Sequence, residues 1–145
     1  MLQLHSNGAF TRYLNDNNLS GPIPPEIGDL ERLEILCDLI FTTNFFVWQI
    51  IYYHFCRYLH KNSISGSIPD TIGNLRALKQ LSLFENELTS TIPDAIALLS
   101  NLQLLNLERN FLDGTIPASI GDLTALIVLN LRSNLLVGEI PGKTN

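Results

Sequence analysis

Two series of side chains stand at fixed offsets from a recurring asparagine and are of types able to bind. Four positions before Asn17, Asn62, Asn86, Asn110 and Asn134 stand Tyr13, Tyr58, Ser82, Asn106 and Asn130. Two positions before the same asparagines stand Asn15, His60, Phe84, Glu108 and Arg132. Tyr58, His60 and Phe84 form an aromatic group, and Glu108 and Arg132 carry charges suited to pairing. Aromatics and arginine are what the centres of protein interfaces favour. The chemistry on offer is recognition: stacking, hydrogen bonding and ion pairing.

Reaction chemistry has no comparable support. His5, His54 and His60 have no companion at metal-ligand spacing. The chain has no HExxH, paired CxxC, GxSxG, phosphate loop or kinase signature. No set of catalytic groups, no metal site and no cofactor site can be assembled, so a non-enzyme is expected. A net charge of −5 over 145 residues gives no basic footprint for nucleic acid. Cys37 and Cys56 lie in one atypical stretch, so no disulfide framework holds the rest together. Glu85, Glu87, Glu108 and Asp113 read as a solvated acidic face. Asn18-Leu19-Ser20 is a glycosylation sequon.

The elements that must position these residues follow from a repeat. Aligned on the asparagine, the segments are LNDNNLSGPIPPEIGDL, LHKNSISGSIPDTIGNL, LFENELTSTIPDAIALL, LERNFLDGTIPASIGDL and LRSNLLVGEIPGKTN. From Asn62 onward each step is 24 residues, and the shared pattern is LxxLxLxxNxLxGxIPxxIGxL. In the fourth segment Leu105 and Leu107 alternate as in a strand with one buried face. Leu102, Leu112, Ile116, Ile120 and Leu123 are predicted to point inward from the turns of the same coil. Asn110 falls at the strand's end, where its amide can satisfy backbone groups left unpaired by the bend. Pro117, lacking an N–H, suits a position outside a ladder. One such coil cannot bury enough surface alone, so consecutive coils must stack.

The LxGxIPxxIG segment, as in Leu19-Ser20-Gly21-Pro22-Ile23-Pro24 and Leu112-Asp113-Gly114-Thr115-Ile116-Pro117, resembles the plant-type leucine-rich repeat. Receptor-like kinases, receptor-like proteins and polygalacturonase inhibitors carry that repeat. The likeness covers residues 13–36 and 58–141. Departures are Ser90 and Ala97 where glycine is usual, and Arg12 at a position of inward leucine. The resemblance implies an α/β leucine-rich repeat solenoid of about five repeats. Short parallel strands would line a concave face, 3-10 or irregular turns would form the convex side, and the array would be uncapped. Both asparagine-linked rows would then face outward from the concave sheet, as the place for a protein, peptide or glycan ligand or a co-receptor.

The implied function is a non-catalytic binding module, a fragment of a receptor-like ectodomain at the extracellular face of the plasma membrane. Two alternatives stand beside it: a mis-spliced or decayed gene product without function, and an inhibitor of the polygalacturonase-inhibitor sort. The fragment reading rests on what the chain lacks. Met1 to Phe10 has no basic segment followed by an apolar one, so no signal peptide is expected. Residues 1–12 match the repeat poorly, and 142–145 read as a truncated tail. A membrane connection would come through a missing anchor or through residues 39–56, an uncharged run at the lower limit for a span.

The step from Asn17 to Asn62 is 45 residues, and removing the 21 residues 37–57 restores the period as LERLEILYLHKNSISGSIP. The removed block holds seven aromatics, the only tryptophan, Trp48, and both cysteines. A translated intron is one explanation. The other readings are a degenerate extra coil built on Asn44, a membrane span, a strand or helix leaning on the array's apolar edge, and a disordered bulge.

Overall fold

Leucines that alternate over three or four residues and then give way to a turn form strands too short to stand alone. The computed structural model, which describes residues 11–13, 19–37 and 62–141, stacks them in parallel. Strands β1 (Thr11–Tyr13), β3 (Ile35–Cys37), β5 (Gln80–Ser82), β7 (Leu104–Asn106) and β8 (Val128–Asn130) form one sheet in the order β1-β3-β5-β7-β8. The register carries the period: Leu81 pairs with Leu105, and Leu105 with Leu129. Arg12 pairs with Leu36, and Leu36 pairs directly with Leu81. The step from Leu36 to Leu81 spans the atypical block, and no strand lies between β3 and β5. Cys37, taken above as the first residue of that block, is the last residue of β3 and stands beside Ser82.

The inward leucines build one continuous core. Leu78, Leu81, Leu102, Leu105 and Leu107 are fully buried, as are Ile72, Leu75, Ile96 and Leu99 from the turns opposite. Each coil thus contributes a layer, and each layer is sealed by the next.

Opposite the sheet lie four 3-10 turns, Pro25–Asp29, Asp70–Asn74, Asp94–Leu98 and Ala118–Asp122. A proline stands just before each: Pro24, Pro69, Pro93 and Pro117. Its missing N–H falls where none is needed, while its carbonyl accepts the first turn bond, as from Ile72 N–H to Pro69 (3.0 Å). The turns pack closely. A Cβ added to Gly73 would sit 2.7 Å from the Ala95 carbonyl oxygen, so only glycine lets these two coils approach.

A second sheet was not legible in the leucine pattern. Strands β2 (Ser20–Pro22), β4 (Ser63–Gly66) and β6 (Glu87–Leu88) pair in parallel, and the bridges Thr91–Asp113 and Thr115–Val137 extend the line. Each segment has one or two inward residues and polar neighbours, too short for a period of two to register.

The asparagines join sheet to sheet. Asn62, Asn86, Asn110 and Asn134 each accept, through Oδ1, the backbone N–H of Leu19, Ile64, Leu88 and Leu112 on the preceding coil (2.9–3.1 Å). The amide of Asn110 donates to Leu83 O on the preceding coil (2.8 Å) and to Leu107 O on its own (3.1 Å). Asn134 repeats this with Leu107 O and Leu131 O. The role expected of Asn110 is therefore met by a ladder that crosses coil boundaries. Before Asn86, Asn110 and Asn134, the residues Glu85, Arg109 and Ser133 take a left-handed φ of 54–56° to present the amide inward.

Candidate functional site

The outward rows of the main sheet are set by strand alternation, because residues flanking an inward leucine must point away from the core. The register places Tyr13, Cys37, Ser82, Asn106 and Asn130 in one line across β1, β3, β5, β7 and β8. Cys37 takes the place expected of Tyr58. Asn15, Tyr58 and His60 lie outside the described residues, and Phe84 is the described member of the expected aromatic group.

Three expected surface residues are buried. Ser82, Phe84 and Asn106 are 0, 7 and 7% exposed. Ser82 and Asn106 belong to interior strands with a neighbour on each side, and their side chains are short. Asn106 also folds back, its Oδ1 accepting the Glu108 N–H at 3.1 Å. The Ser82 hydroxyl is buried without a hydrogen-bond partner.

The open part of the face lies toward β8. Arg132 is exposed, and Glu108 and Asn130 are half-buried. The expected Glu108–Arg132 pair does not form. Glu108 Oε2 instead accepts the Asn130 amide at 2.8 Å, and Asn130 Oδ1 accepts the Arg132 N–H at 3.3 Å. Among the described residues the ion pairs are Lys79–Glu34, at 2.7 Å, and Arg109–Glu85. Arg132 thus presents an uncommitted guanidinium beside a carboxylate already held in place.

A third row was missed: Gln80, Leu104 and Val128, each paired with the next across β5, β7 and β8. Counting two residues further back from each asparagine would have found it. Leu104 is buried and Val128 is exposed, so the open end of the face combines an apolar edge with Asn130, Glu108 and Arg132. The arrangement suits a ligand with both apolar and charged groups, and its donors and acceptors are spaced by the strands.

Among the described residues no three of His, Cys, Asp and Glu are grouped to hold a metal. No described helix is long and apolar enough to cross a membrane, and residues 39–56 lie outside the described set.

Two family profiles, both described as leucine rich repeat, match residues 58–112 and 13–30. No curated protein matches the sequence. Among solved structures, the chain is similar to the ectodomain of the Arabidopsis thaliana membrane receptor kinase GASSHO1/SCHENGEN3 in complex with CASPARIAN STRIP INTEGRITY FACTOR 2. Identity is 36% over 87% of this chain and 13% of that one, with a TM-score of 0.70. The Arabidopsis receptor kinase HAESA, in complex with the peptide hormone IDA and the co-receptor SERK1, is 31% identical over 93% of this chain and 19% of its own, with a TM-score of 0.73. A chain of the Arabidopsis BIR3–SERK2 complex is 30% identical over 91% of this chain and 60% of its own, with a TM-score of 0.70. The chain therefore spans less than a fifth of the length of the two receptor-kinase ectodomains.

Proposed function

Because this chain belongs to the leucine-rich repeat family, we propose that it is a non-catalytic binding module whose open sheet face takes a peptide or protein. The carrying observation is the end of that face, where exposed Arg132 stands near Glu108, Asn130 and Val128. The likeness to receptor ectodomains solved with a peptide hormone and a co-receptor supports the same class of partner, and with it a place outside the plasma membrane. A free guanidinium favours an acidic group of the ligand, and an apolar side chain would lie over Val128.

The test is selection of a displayed random-peptide library on the full chain. Enriched peptides should carry an acid next to an apolar residue. They should lose about 10- to 30-fold in affinity against Arg132→Ala, the usual effect of truncating an interface anchor. They should bind Lys79→Ala unchanged, because Lys79 pairs with Glu34 away from this end. Peptides that enrich but ignore Arg132 would move the site, and failure to enrich any would remove the reading.

A second reading has one observation in its favour. Every step in the five-stranded sheet is 24 residues except that from Leu36 to Leu81. A chain translated from an unspliced transcript would carry such a step without loss of the flanking register. Aligned transcripts that uniformly retain the block would exclude it.

A further inference from the structure

The four acids that read from the sequence as one solvated face are divided by the fold. Glu85 pairs with Arg109, and Glu108 holds the Asn130 amide. Glu87 begins β6, and Asp113 joins its line through the Thr91 bridge. Both are exposed, and neither forms an ion pair among the described residues. Between them stands Phe111, 52% exposed. Phe111 N–H donates to Leu88 O at 2.8 Å and Asp113 N–H to Ser90 O at 3.1 Å, which sets Phe111 beside Thr89 and Asp113 beside Thr91. Strand alternation turns Glu87, Thr89, Thr91, Phe111, Asp113 and Thr115 outward, and all six are exposed, while Leu88, Ile92 and Leu112 are buried in the core. The patch lies on coils three and four, which have coils packed on either side, so stacking does not cover it.

Glu87 is thus diagonal to Phe111 across the coil boundary and Asp113 two residues along its own strand, each roughly 7 Å away between Cα atoms and within reach of a group seated on the ring. The threonines between are too short to cover that ring. An aromatic face attracts a cation, arginine more often than lysine, and a guanidinium lying there can also donate to a flanking carboxylate. We propose that this outward face of the second sheet docks an arginine carried by a partner protein, its guanidinium stacked on Phe111 and hydrogen-bonded to Glu87 or Asp113. The chain's net charge of −5 favours the approach of a basic partner. The face is separate from the Arg132 end of the main sheet and calls for the opposite charge, so the two readings stand or fail independently.

The test is selection of a displayed random-peptide library on the full chain carrying Arg132→Ala, which takes the other face out of the selection. Enriched peptides should carry arginine, and replacing it by lysine should weaken them. Their affinity should fall roughly fivefold against Phe111→Ser, the loss of an exposed cation–ring contact. Serine stands at the equivalent place one coil before Glu87, at exposed Ser63, so the circular dichroism spectrum should not change. Glu87→Gln combined with Asp113→Asn keeps the ring and should also cost roughly fivefold at about 50 mM salt, a loss that disappears at about 500 mM. An enriched set without arginine, arginine peptides indifferent to Phe111, a double-variant loss that salt does not alter, or no enrichment at all would overturn the proposal.

Discussion

The Glu108 carboxylate holds the Asn130 amide at 2.8 Å across the β7–β8 boundary, leaving Arg132 exposed two residues further on. A charged side chain is thus fixed by a neutral one, and the cation that sequence spacing offered as its partner is left for other contacts. Glu108→Ala should cost about 1.5 kcal/mol in urea unfolding, the low end for a hydrogen bond to a charged group, because Glu108 is only half-buried. Because the bond is not an ion pair, the loss should be nearly the same at low and high salt. Arg132→Ala should leave the unfolding free energy from urea titration within about 0.5 kcal/mol of wild type. A strong salt dependence would show that Glu108 is engaged by a cation instead.

Asn110 is the most connected rung. It is 5% exposed, accepts from Leu88 N–H and donates to Leu83 O and Leu107 O. Asn110→Ala strands those backbone groups in the core and should cost about 3 kcal/mol. Asn110→Asp restores the acceptor but turns a second oxygen toward two carbonyls, so it should recover little. Urea unfolding of the three proteins side by side decides this; full rescue by aspartate would show that the donor half of the rung is dispensable.

Ser90 holds a left-handed φ of 67°, at a place in the coil where Gly114 and Gly138 have 70° and 87°. That backbone costs a residue with a Cβ roughly 1–2 kcal/mol, partly offset by the greater unfolded-state freedom of glycine. Ser90→Gly should therefore stabilise by about 0.5 kcal/mol. Gly114→Ala should destabilise by about 2 kcal/mol, because the same conformation is joined by a Cβ only 2.7 Å from Thr91 Cγ2. A loss on Ser90→Gly would mean that the left-handed backbone is not strained there, and equal and opposite shifts would mean that the Thr91 contact adds nothing at Gly114.

Strands β3 and β5 are neighbours although Leu36 and Leu81 are far apart in sequence. Deleting residues 38–58 leaves four positions from Cys37 to Asn62, the spacing from Ser82 to Asn86. The shortened chain should keep its far-ultraviolet spectrum and unfold at an equal or higher urea concentration. A collapse of the spectrum would show that the block contributes structure to the array.

Burial on the inner side was readable because it follows from period alone: Leu102, Leu105, Leu107 and Leu112 are all fully buried. Asn110 was readable for a related reason, since a polar residue at a strand end must bond to backbone. The outward rows obey a different rule. Alternation fixes which way Ser82, Phe84 and Asn106 leave the strand, but their burial depends on the size of neighbours across the register. The partner of Glu108 was equally hidden, because Asn130 and Arg132 are both within reach on the same adjacent strand and only side-chain geometry chooses. The second sheet escaped because β6 is just two residues long.

The stretch that parts Leu36 from Leu81 also sets an order of events during assembly. Along β5, β7 and β8 each seam closes a loop of one coil, whereas the seam between β3 and β5 closes nearly twice as much chain, an added entropic penalty of roughly 0.6 kcal/mol. Coils three to five are then the natural nucleus, and the coils on the far side of the β3–β5 seam join it later.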